Sequence, residues 1–164
     1  MMEKEGYLFR RKQDIISDIM EESWEEISME SRKDRATELH DKGYNCAQAV
    51  ACAYCDLIGI DEETMFKICE GLGLGMGSTL GTCGALTGAC ILAGCKNSTA
   101  NLDAPDSKKS TYALSRQLVE SFRERNSSIV CRELKGALTG EVLRPCPLCI
   151  TDACEFAEEV LFAD

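Results

Sequence analysis

The stretch CGALTGACILAG, residues 83–94, carries no charge on any face. Read as a helix, it has no side that favours water, so it is expected to lie buried all round. Gly84, Ala85, Gly88 and Ala89 let neighbouring helices come close, and each glycine costs about 1 kcal/mol of helix propensity that packing must offset. A central helix of this kind requires other helices around it, and the flanking sequence supplies them.

Toward the N-terminus, Ile16, Met20, Trp24 and Ile27, with Ile15 and Ile19 beside them, mark one amphipathic helix over about residues 8–30. Ala36 and Leu39 carry a short helix that Gly43 can end in a left-handed conformation. Asn45 opens the next helix and forms a capping-box variant with Gln48. That helix holds Cys46 in its first turn, with Ala47, Val50, Ala51, Tyr54 and Leu57 on its body as far as Gly59. Asp61 caps another, with Glu62 and Glu63 at its positive end, and Gly71 stops it.

GLGLGMGSTLGT (71–82) breaks the pattern. It fits neither G-x-G-x-x-G nor G-x-x-x-x-G-K-[ST], so a nucleotide loop is not indicated and a closely approaching backbone is. Thr82 is the expected cap of a helix beginning at Cys83. Beyond a polar loop at 97–107, Tyr112, Ser115, Val119 and Phe122 form a helical stripe. Ser127 or Ser128 caps a short turn containing IVCREL, which Gly136 closes. Ile150, Ala153, Ala157 and Val160 mark a terminal helix, with Pro147 at its first position and Cys146 as the cap before it. The expected fold is an all-α, single-domain bundle of six or seven helices around the Gly/Ala-rich central helix. Residues 1–30 form an N-terminal helical extension, and residues 31–164 form a cysteine-rich domain.

A domain of 164 residues buries about 70% of the surface its unfolded chain exposes, enough to fold without a disulfide or a metal. The eleven cysteines are an odd number. The leading MMEKEGYLFRRKQD lacks the apolar core of an export signal, so the expectation is a cytoplasmic protein whose cysteines serve redox or metal chemistry. No run approaches the ~18 apolar residues of a membrane span. A net charge of −10 argues against nucleic acid and anionic membranes as partners. It leaves a small molecule or a protein redox partner, and makes the N-terminal helix the candidate contact for a homo-oligomer.

Cys46, Cys83, Cys131 and Cys146 all fall at or within a turn of an expected helix start, where free backbone N–H groups and the helix dipole favour a thiolate. Cys52, Cys69, Cys90 and Cys95 sit among apolar neighbours and read as packing residues. Two C-x-x-C pairs occur, Cys52–Cys55 inside a helix and Cys146–Cys149 at a helix start, with Cys154 five residues further on. Neither pair is followed by histidine, so covalent haem attachment is excluded. His40, the single histidine, reads as a solvated or C-terminal capping side chain.

GYNCAQAV (43–50), CGALTG (83–88), CREL (131–134) and the CP at 146–147 resemble, in order, the four cysteine blocks of a family of small redox-active proteins named after a C-GCAxxG-C-C pattern and containing CGAxxG. EGLGLGMGSTLGTCGA is similar to the glycine-rich approach of that family. The resemblance runs from about Arg32 to the end. It implies a redox role and carries the family's four cysteines onto Cys46, Cys83, Cys131 and Cys146, the same four that the helix starts select. The chain departs from the pattern in its N-terminal helix and in Cys149 and Cys154.

Three functional readings follow. In the first, one low-pKa cysteine attacks a substrate or oxidant and a second resolves the product, with no cofactor, as a thiol-disulfide oxidoreductase does. In the second, Cys46, Cys83, Cys131, Cys146 and Cys149 supply ligands to zinc or an iron–sulfur cluster. In the third, the cysteines are inert and the protein is an interaction module. The four family cysteines are scattered singly, whereas zinc and cluster ligands often come in close pairs, and this favours the first reading.

Overall fold

A computed structural model describes residues 31–163, and the N-terminal helix expected over 8–30 lies outside them. Apart from a 3-10 turn at Glu70–Leu72 and a turn at Gly73–Met76 whose Leu74 and Gly75 are left-handed, the described residues form eight α-helices and no strand: α1 (Lys33–Asp41), α2 (Cys46–Cys52), α3 (Cys55–Ile58), α4 (Glu62–Cys69), α5 (Gly84–Asn97), α6 (Lys108–Asn126), α7 (Cys131–Leu134) and α8 (Cys146–Leu161). The all-α bundle read from the sequence is the observed class. None of these helices is long and apolar enough to cross a membrane.

Helix α5 is the central element, packed against α2, α6 and α8. Its small residues explain the closeness on the α2 side: a Cβ added at Gly88 would stand 2.7 Å from the Ala47 carbonyl oxygen. The burial is less complete than an uncharged helix suggests. Ala85, Leu86, Ala89, Leu92 and Ala93 are in the core, whereas Cys90, Ile91 and Cys95 are only partly covered.

The start of α2 is fixed as its sequence dictates. Asn45 Oδ1 accepts from the Ala47 and Gln48 amides at 2.9 and 3.0 Å, and Gln48 Oε1 accepts from the Asn45 amide at 2.9 Å, completing the capping box. Asn45 Nδ2 also donates to the Cys69 and Glu70 carbonyls, tying this helix start to the end of α4. Gly43 is left-handed at φ +101°, and Asp61 caps α4 through the Thr64 amide.

Several local expectations are corrected. Helix α2 does not run to Gly59 but turns at Ala53–Tyr54, where the Tyr54 ring is fully buried, stacks on Phe162 at 5.1 Å and donates to Glu158 at 2.9 Å. Tertiary contacts of one aromatic thus override a continuous helical pattern. In α6 the inward residues are Leu118 and Phe122, while Tyr112 is 61% exposed. Helix α5 begins at Gly84 with Cys83 itself as N-cap, because Thr82 is held in an antiparallel bridge to Val130. Helix α8 begins one residue earlier than expected, with Pro145 as cap, Cys146 first and Pro147 second.

Candidate functional site

The bridge between Thr82 and Val130 stitches two helix starts together. The Cys83 amide donates to the Ile129 carbonyl at 2.7 Å, the Cys131 amide to Gly81 at 3.0 Å, and the Arg132 amide to Thr79 at 2.9 Å. Cys83 and Cys131 are thereby set on adjoining strands of backbone. Gly75 lies against them with φ +59°, and a Cβ there would meet Cys131 Cβ at 2.7 Å, so the glycine-rich segment is a wall that only glycine can form at this point. The next residue into α5, Gly84, faces Cys46 Cβ, with 3.2 Å between it and an added Cβ.

These approaches enclose a cavity of about 340 Å³, lined by Cys46, Cys83, Cys131, Cys146 and Cys149 together with His40, Leu74, Lys135 and Arg144. The structure therefore brings together all the cysteines that the sequence singled out for chemistry, from positions 46 to 149. Cys52, Cys55, Cys69, Cys90, Cys95 and Cys154 do not line it. Cys52, Cys55, Cys69 and Cys154 are buried among apolar side chains, and burial pushes each of their thiols up.

Four of the lining cysteines form two pairs. At the more open side, Cys46 and Cys146 are both partly exposed and near enough for the Cys46 thiol to act as a donor toward the Cys146 sulfur. Lys135 Nζ donates to that same sulfur at 3.4 Å. The thiol donor and then the ammonium hold Cys146 well below the ordinary cysteine range, against the opposing effect of burial. Its partner Cys46 is pushed up by its place beside Cys146 and by its own burial. Both directions favour the proton on Cys46 and the negative charge on Cys146.

The deeper pair is Cys83 and Cys149, only 5% and 2% exposed. Cys149 is near enough for its thiol to act as a donor toward the Cys83 sulfur, and the amides of Ala85 and Leu86 at the start of α5 lie toward that sulfur without forming capping bonds. Cys83 is lowered by that donor and those amides, while Cys149 is raised by the same pairing and by burial. The Cys149 sulfur also lies 3.6 Å from the Arg144 carbonyl. Cys131 lines the cavity without a thiol partner, and its own thiol is raised, chiefly by burial.

The helix-start argument is therefore corrected for two of its four cysteines. A position in the first turn lowers a thiol only where its sulfur receives donors, as Cys83 and Cys146 do and Cys46 and Cys131 do not. His40 lies partly exposed in the last turn of α1, as read from the sequence, and also lines the cavity. Lys135 and Arg144 were not foreseen. Lys135 follows Cys131 by one helical turn, a spacing visible in the sequence but without a distinguishing signature. Arg144 reaches the cavity because its amide donates to Leu134 at 3.1 Å, and its guanidinium is gripped by the buried Asp152 through two bonds of 2.8 Å. Among the described residues, no group of three His, Cys, Asp or Glu is placed to hold a metal ion.

No curated protein and no solved structure matches the chain. A sequence model of the family described as "Putative redox-active protein (C_GCAxxG_C_C)" matches residues 44–160, which span the cavity from Cys46 to Cys149 and most of the chain. The chain belongs to that redox-active C-GCAxxG-C-C family.

Proposed function

We propose that the protein is a thiol–disulfide exchange protein whose reacting pair is Cys146 and Cys46. The observation that carries this reading is the 3.4 Å contact of the Lys135 ammonium with the Cys146 sulfur, at a partly solvent-open cavity wall that Cys46 also lines. A thiolate is the nucleophile of exchange, and here it is held beside the thiol that would resolve it.

With a disulfide substrate R–S–S–R′, the Cys146 thiolate attacks one sulfur. A Cys146–S–S–R bond forms, the S–S bond of the substrate breaks, and R′–S⁻ leaves with the electron pair. Cys46 then loses its proton to solvent and attacks the Cys146 sulfur. The Cys46–Cys146 disulfide forms and R–S⁻ departs. The substrate gains two electrons and the protein loses two. Lys135 stabilises Cys146 when it bears the charge, and Cys83 with Cys149 forms a second dithiol behind the first.

The metal reading would need at least a third donor converging with such a pair, and the absence of any suitable trio among the described residues favours exchange over coordination. The cytoplasmic location expected from the sequence suits a protein whose thiols are maintained reduced. The test is mild oxidation of the reduced protein followed by mass mapping. A Cys46–Cys146 disulfide supports the reading, and a Cys146 that stays reduced, or alkylates no faster at neutral pH than an unperturbed cysteine, overturns it.

A further inference from the structure

The described residues lining the cavity include three basic ones, His40, Lys135 and Arg144, and no Asp or Glu. In a chain with 28 acidic and 18 basic residues this is a local inversion of charge. In the reduced protein the inversion is masked, because Lys135 is hydrogen-bonded to Cys146. Oxidation removes the mask: a disulfide sulfur carries no charge, so Lys135 is left facing the cavity without an anion. Arg144 stays in place, since its guanidinium is held by Asp152, which does not line the cavity.

Resting on the exchange reading above, we propose that the oxidised protein takes its electrons from a small anionic thiol, bound through the charge that oxidation uncovers on Lys135. A cavity of about 340 Å³ is at the small end of ligand sites, which fits a low-molecular-weight reductant. The anionic thiolate R–S⁻ attacks the Cys146 sulfur, the Cys146–Cys46 bond breaks, and Cys46 leaves with the electron pair and takes a proton from solvent. A second R–S⁻ attacks the sulfur of the bound R group. R–S–S–R is released and the Cys146 thiolate returns to Lys135, which covers the cation again and lowers the cavity's hold on anions. Two thiolates are oxidised and one protein disulfide is reduced.

The distinguishing experiment compares three reductants of similar size on the oxidised full-length protein: 2-mercaptoethanesulfonate, 2-mercaptoethanol and cysteamine. Each rate is divided by the thiolate concentration and by that thiol's rate with hydroxyethyl disulfide. The net charge of −10 by itself would make the cationic thiol fastest. The inference requires the opposite order, sulfonate over alcohol over amine, with a spread of about 3–10-fold at low ionic strength that collapses near 1 M salt. Lys135→Gln should bring the sulfonate-to-alcohol ratio down toward unity, even though the variant slows both thiols. Equal normalised rates, or the amine fastest, overturn the inference while leaving the exchange reading intact. Failure to form the Cys46–Cys146 disulfide at all overturns the exchange reading and this inference together.

Discussion

Lys135 Nζ stands 3.4 Å from Cys146 Sγ, and Lys135 is the residue that caps the end of α7, the helix whose first residue is Cys131. The charge that favours a thiolate in the C-terminal helix is thus delivered by the residue that directly follows the CREL block. Replacing Lys135 by Met should move the pH at which Cys146 half-reacts with iodoacetamide to the alkaline side by about one pH unit. The sign follows from the shift: a lowered thiol is ionised at neutral pH, so alkylation of the native protein stays fast at pH 7 and fades only as acid protonates Cys146. Rates of modification at Cys146, read by mass spectrometry from pH 5 to 9, check this.

Oxidation should yield the pairings Cys46–Cys146 and Cys83–Cys149, in that order of appearance, because the first pair is partly exposed and the second is 5% and 2% exposed. Peptide mapping at increasing oxidant tests it. A first-formed bond between Cys83 and Cys131 would contradict the pairing of sulfurs described here.

Gly88→Ala should destabilise the domain by about 1–3 kcal/mol through overpacking, since the new methyl group would meet a backbone carbonyl and not a movable side chain. The same change at Gly94, where nothing lies within 4 Å of an added Cβ, should be neutral or stabilising. Urea unfolding of the two variants gives the comparison.

Asp152→Asn should cost about 1–3 kcal/mol, because Asp152 is buried and accepts from Arg144 twice and from Arg125 at 3.4 Å. The side chain that moves is Arg144, so the alkylation rate of Cys149, whose sulfur lies by the Arg144 carbonyl, should rise relative to that of Cys131.

How far the site was legible in the sequence depended on whether a signal was local. Asn45 with Gln48, Asp61 with Thr64, and Gly43 in its left-handed turn concern neighbours within a few positions, and each is found where the sequence puts it. The four block cysteines were legible for the same reason, as first-turn residues. Their pairing was not. Cys83 meets Cys149 and Cys146 meets Cys46 only after α5 is clamped between α2 and α8, and no residue near any of them encodes that choice. Tyr54 shows the same limit in the fold, since its partners Glu158 and Phe162 lie about a hundred positions away and break a helix that its own neighbours would continue.

The two cysteines at the open side of the cavity are 100 positions apart in sequence. A bond between them would gather about three quarters of the cysteine-rich domain into one covalent ring. Closing a ring of that size removes conformational freedom from the unfolded chain worth about 4–5 kcal/mol in the chain-entropy account. Electron transfer and folding then share a thermodynamic cycle. Each reduction opens the ring and makes the chain easier to unfold, and the fold in turn strengthens the disulfide by as much as the disulfide strengthens the fold.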